Sequence, residues 1–177
     1  MNTQKEKMIK MSKVLSVVLL VCAIMLTIAA VGALSGLIFG PLFGAELNSM
    51  QIEFLEVSTP FSDMDDIYAW LIDIVLEAVP IIVIICVASL IFKTISREGT
   101  PFTKSNSDKI RIIALLLIAH VLVIPPLQML VKMMLLPGIA VTVDITLINL
   151  VVAAVFFCLA LVFDYGRQLQ QESDELL

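Results

Sequence analysis

Residues 97–111 read REGTPFTKSNSDKIR, a polar break in the middle of an oily chain. Before it lies YAWLIDIVLEAVPIIVIICVASLIF, from about Tyr68 to Phe92. After it lies IIALLLIAHVLVIPPLQMLVKMMLL, from about Ile112 to Leu136. A helix needs ~20 apolar residues, at a rise of ~1.5 Å each, to cross the hydrocarbon of a bilayer. Both flanks reach that length, so the break is a place where two membrane helices turn back. Gly99 and Pro101 stop the first of them, and Ser105 with Asp108 three residues later reads as a capping box that opens the second.

Two more segments of the same kind complete the pattern, VLSVVLLVCAIMLTIAAVGALSGLIFG at about 14–40 and ITLINLVVAAVFFCLALVF at about 145–163. Hydrophobic residues make up 60% of the 177, charged residues only 15%, and the mean hydropathy is +1.05. A soluble domain is nearer half apolar and a quarter charged. The fold class expected is therefore all-α, a single integral-membrane domain of four transmembrane helices over 1–177, ending in a tail at 164–177. Barrel strands would be shorter and would alternate polar with apolar, which these segments do not. The first segment is too long for the apolar core of a signal peptide, and no clear small-residue cleavage motif follows it. It reads as a retained helix.

Charge orients the bundle. Of the eleven basic residues, Lys5, Lys7, Lys10 and Lys13 precede the first helix, Lys93, Arg97, Lys104, Lys109 and Arg111 lie around the break, Arg167 follows the fourth, and Lys132 is the exception. Positive-inside bias places both termini and the 93–111 elbow in the cytoplasm of a bacterial cell, with the protein in the plasma membrane. Glu46, Glu53, Glu56, Asp63, Asp65 and Asp66 form a small acidic loop on the other side, where Ile52, Phe54 and Leu55 are expected to be buried. The net charge of −5 is thus a compartment effect. Direct nucleic-acid binding is unsupported, because the basic residues are few and divided among three pieces.

Several polar and small residues within the spans invite a functional reading. Asp73 and Glu77 are four apart on one helical face, and Lys132 lies near the same outer end of the third helix. Carboxylates at membrane depth are costly without water or a partner. An ion pair between Glu77 and Lys132 is the leading expectation, ahead of a cation or basic-ligand site and of a proton-coupled transport carboxylate. Gly32, Gly36, Gly40 and Gly44 recur every fourth residue, a spacing that lets helix backbones approach closely in lipid. Packing within the chain ranks above a homodimer seam, and Pro41 is expected to bend or end the helix. Pro125 with Pro126 marks a bend in the third helix.

His120, Cys22, Cys86 and Cys158 lie at similar depth on four helices, but without the close ligand pairs of a zinc site, and are expected to pack. FSDMDD lacks the glycine and terminal glutamate of a calcium loop. No nucleophile elbow, phosphate-binding glycine loop or His–carboxylate metal pair is present. Neither a metal nor a cofactor is expected, and the chain is read as a non-enzyme.

Two short stretches carry a resemblance. Gly99, Pro101, Phe102 and Asn106 in the elbow, with Arg111 after them, resemble one signature of a bacterial family. Phe163, Gly166, Leu169, Glu172 and Asp174 fit a second, F-x-x-G-x-x-L-x-x-E-x-D. The family comprises small four-helix membrane proteins of unknown function, whose genes often lie beside one for a Cro/CI-type helix-turn-helix regulator. Its members usually end in hydrophobic β-branched residues, where this sequence reads DELL. The resemblance implies a membrane protein that senses or sequesters a soluble regulator docked on the elbow and tail. Phe102, an aromatic residue in a loop where no helix core demands one, is the candidate anchor; the other reading is that it seats the elbow in the membrane interface or under the tail. A small oligomeric transporter or channel subunit is the alternative from another class. An immunity protein that captures a cationic peptide on the acidic loop is a third.

Overall fold

The computed structural model describes residues 2–43, 64–136 and 148–175. They form four helices: α1 (Asn2–Phe43), α2 (Met64–Glu98), α3 (Lys104–Leu135) and α4 (Ile148–Glu175). All four are long and apolar enough to cross a membrane, and the described residues contain no strand. Of the acidic loop expected at 45–66, residues 45–63, with Ile52, Phe54 and Leu55, lie outside the described residues, as does Gly44.

Each helix is longer than its apolar run alone. The leader of α1 is rich in Lys, Gln, Glu and Met, good helix formers with nothing to interrupt them, so the helix begins at Asn2. It also runs past Pro41 to Phe43, so the chain does not stop at that proline. α2 begins at Met64, which places Asp65 and Asp66 in its first turn rather than in a loop. There their charge complements the positive end of the helix dipole. α3 continues through Pro125 and Pro126, and α4 carries the tail as one unbroken helix to Glu175.

The elbow corrects the expected start of α3. The N-cap is Thr103, extended at φ −120° and ψ 148°, whose side chain accepts from the Asn106 backbone N–H at 3.2 Å. Ser105 and Asp108 already lie inside the first turns and form no capping box. The reason is local: extended backbone just after Pro101 swings the Thr103 hydroxyl over the open amides two residues earlier than Ser105 could. Gly99 ends α2 with φ +69°, and its N–H donates to the Ile95 carbonyl at 2.9 Å.

Consecutive helices pack on one another, α1 on α2, α2 on α3 and α3 on α4. Their contacts run antiparallel. Ser16 near the start of α1 meets Ser89 near the end of α2, while Gly36 meets Leu71 and Gly40 meets Tyr68. The main buried cluster joins Ile91 and Ile95 of α2, Ile110 and Ile113 of α3 and Ala160 of α4, with Met8 of α1 and Phe156 and Phe163 of α4 against it. The core therefore sits in the half of the bundle next to the elbow. Elsewhere the helices present a sheath of exposed Val, Leu, Ile and Met, the surface that lipid tails cover.

Candidate functional site

The two segments with the family-like signatures come together at the elbow end. Phe102 leaves the turn and lays its ring edge-on to Phe163, with centroids 5.5 Å apart and planes at 64°. The ring also covers Gly166. A Cβ built there would lie 2.6 Å from Phe102 Cδ1 and 2.7 Å from Cε1, so only glycine fits under it. The Phe102 ring thus lies between elbow and tail, with 37% of its surface still exposed.

Polar bonds fasten the same interface. Ser107 is fully buried, and its hydroxyl donates to the Ala160 carbonyl at 3.1 Å. The Arg111 guanidinium pairs with Asp164 and lies 3.8 Å from Asp108 one turn earlier on its own helix. The Thr100 hydroxyl donates to Gln170 Oε1 at 3.0 Å. Asn106, also fully buried, ties the turn to itself: its Nδ2 donates to the Pro101 carbonyl at 3.1 Å, while its Oδ1 has no protein partner. On the other side of the turn, the Lys5 side chain of α1 lies against Gly99. Positive φ and this contact both disfavour a side chain at residue 99. Gly99, Pro101, Phe102 and Asn106 are therefore one unit, and its partner is the proximal tail. Leu169 and Glu172 are exposed beyond it.

The intramembrane polar residues lie at the opposite end. Lys132 Nζ donates to Asp73 Oδ2 at 2.6 Å, and Glu77 instead accepts from Gln128 Nε2 at 3.3 Å. This corrects the expected Glu77–Lys132 pair. In antiparallel packing, one turn along α2 from Asp73 to Glu77 corresponds to one turn back along α3 from Lys132 to Gln128. The register assigns Lys132 to Asp73, the carboxylate farther from the elbow. Lys132 is 15% and Asp73 34% exposed, so the pair is largely withdrawn from water, and Asp73 Oδ1 is buried without a partner. Gln128 carried no flag in the sequence beyond its position four residues before Lys132.

The glycine run divides. Gly36 and Gly40 face Leu71 and Tyr68 of α2, whereas a Cβ at Gly32 would point into open space. The reciprocal serine contact was not legible in advance: Ser16 Oγ donates to the Ser89 carbonyl at 3.0 Å and Ser89 Oγ to the Ser16 carbonyl at 2.9 Å. Cys22, Cys86 and Cys158 are free thiols, and no group of metal-ligating side chains occurs among the described residues.

A family model described as "Protein of unknown function (DUF2975)" matches residues 44–176. No curated protein and no solved structure matches the chain.

Proposed function

The chain belongs to the DUF2975 family of proteins of unknown function, and on that premise we propose that it is a non-enzymatic membrane adaptor whose elbow and tail dock a soluble cytoplasmic regulator. The protein is a multi-pass membrane protein by its four apolar helices. Positive-inside bias sets the elbow end in the cytoplasm of the bacterial plasma membrane. The partner type comes from the family resemblance, a helix-turn-helix regulator, held by protein–protein contact with no direct contact to nucleic acid.

One observation carries the reading: the elbow and the tail, some fifty residues apart in sequence, are built into one interface by the Phe102–Gly166 contact, the Ser107–Ala160 bond and the Arg111–Asp164 pair. Returning the chain across the membrane requires none of these bonds. They hold the two segments in one fixed arrangement, and Phe102, Tyr165 and Leu169 are exposed at this end of the bundle. A photo-crosslinking amino acid at Leu169 in intact cells is expected to capture a soluble DNA-binding protein. The same probe at Met134, exposed at the opposite end, is expected to capture none. No adduct at Leu169, or equal capture at both, overturns the proposal.

A second reading, a small transporter or channel subunit working as an oligomer, draws on the Asp73–Lys132 and Glu77–Gln128 pairs, which place polar groups between α2 and α3 within the spans. It requires that Glu77→Gln abolish a measurable flux in proteoliposomes.

A further inference from the structure

The basic side chains at the elbow end fall into two sets. Of those on α3 and α4, Lys109, Arg111 and Arg167 are engaged within the chain, while Lys104, exposed at the start of α3, makes no hydrogen bond or ion pair among the described residues. Lys109 Nζ donates to Thr94 and Ser105 at 2.8 and 2.9 Å, Arg111 pairs with Asp164, and Arg167 Nη1 donates to Gln171 at 3.2 Å. Those of α1 and α2 behave differently. Lys7, Lys10, Lys13, Lys93 and Arg97 are all exposed, and none of these side chains makes a hydrogen bond or ion pair among the described residues.

Their positions on the helices say what they face. On α1, Lys7 and Lys10 continue at helical spacing into Val14, Val17, Val21, Ile24 and Ile28, all exposed. On α2, Val79, Val83 and Leu90 are exposed and lead at the same spacing to Lys93 and Arg97. The apolar parts of these stripes are the lipid-facing surface. The hydrocarbon accounts for ~20 residues of each helix, and the cations stand where the stripe leaves it. The Ser16–Ser89 contact holds the two helices together just inside that level. The acids nearby are Glu6 and Glu98, both exposed. With Lys5, also exposed on α1, six cations stand against two carboxylates and leave the face positive.

We infer that this α1–α2 face binds the headgroups of anionic phospholipids. The occupant follows from chemistry and place. A cation in line with lipid-facing Val and Leu meets headgroups, and a phosphate-bearing headgroup with net negative charge complements an ammonium that has no partner in its own chain. Lysine and arginine stems lie along the apolar stripe while their charges reach the phosphate layer.

Spin-labelled phosphatidylglycerol and phosphatidylcholine, compared by electron spin resonance on the full chain in phosphatidylcholine vesicles, test the inference without regard to the protein's orientation. The wild type is expected to hold the anionic label about threefold more strongly, as for a few headgroups each meeting a cation at the surface. That preference should fall toward parity at about 0.5 M salt, where the screening length is only about 4 Å. The variant K7Q/K10Q/K13Q/K93Q/R97Q should lose the preference, and its charge-keeping counterpart K7R/K10R/K13R/K93R/R97K should retain it. A wild-type ratio near one, or a preference that survives salt, overturns the inference without any substitution. So does a neutral variant that keeps the lipid preference but releases an acidic soluble protein from native membranes, which would make that protein the occupant.

Discussion

The Phe102 ring occupies the volume that a side chain at Gly166 would need, 2.6 Å from where its Cβ would stand. Elbow and tail are thus mutually specified. Gly166→Ala must push the ring off Phe163 or shift the tail. The expected cost is about 1–3 kcal/mol, as for overpacking a filled contact. In a Phe102→Ala background the same change should cost almost nothing, because the obstructing ring is gone. Thermal unfolding in detergent, followed by limited proteolysis of the tail, measures both. An equal penalty in the two backgrounds would show that the ring is not what excludes the Cβ.

Lys132 and Asp73 form an ion pair at the end of the bundle opposite the elbow. Lys132→Ala should destabilise by about 1–3 kcal/mol, because Asp73 then loses its donor while largely withdrawn from water. Adding Asp73→Asn should recover part of that loss, and adding Glu77→Gln should not. A double-mutant cycle in which Glu77, rather than Asp73, couples to Lys132 would contradict the register between α2 and α3.

Thr103 caps α3, so Thr103→Ala should cost about 1 kcal/mol and Thr103→Ser much less. Ser105 is already helical, and its hydroxyl accepts only from Lys109. Ser105→Ala should stay within about 0.5 kcal/mol, as for an ordinary surface position. Equilibrium unfolding of the three variants checks the ranking, and a larger loss at Ser105 than at Thr103 would restore the capping-box reading.

The proposed sidedness rests on the distribution of lysine and arginine. With Cys22, Cys86 and Cys158 replaced, a cysteine at Ser105 should react with an impermeant thiol reagent only after cell lysis. One at Asp65, exposed in the first turn of α2, should react in intact cells. The reverse pattern would invert the bundle and remove the cytoplasmic docking proposal with it.

The stop at Gly99 and two spans were legible in REGTPFTKSNSDKIR and its flanks, and the membrane class and the other two spans in the segments at 14–40 and 145–163, since hydropathy, helix breaking and net charge are properties of residues taken in order. Local chemistry also marked Asp73, Glu77 and Lys132 as residues in need of partners, and marked Phe102 as unusual for a loop. Which partner each one takes was a different kind of question. Asp73 and Glu77 are the same chemistry one turn apart, and the choice between them depends on how far α3 slides along α2. The packing of Ile91 and Ile95 against Ile110 and Ile113 contributes to that offset from the other end of the bundle. The capping of α3 by Thr103 depends on the extended backbone that leaves Pro101. The fit of Phe102 over Gly166 depends on α3 and α4 crossing closely enough at Ala160 for Ser107 to reach its carbonyl. Those distances arise from the sum of many weak contacts across helices, so only the tertiary structure could decide them.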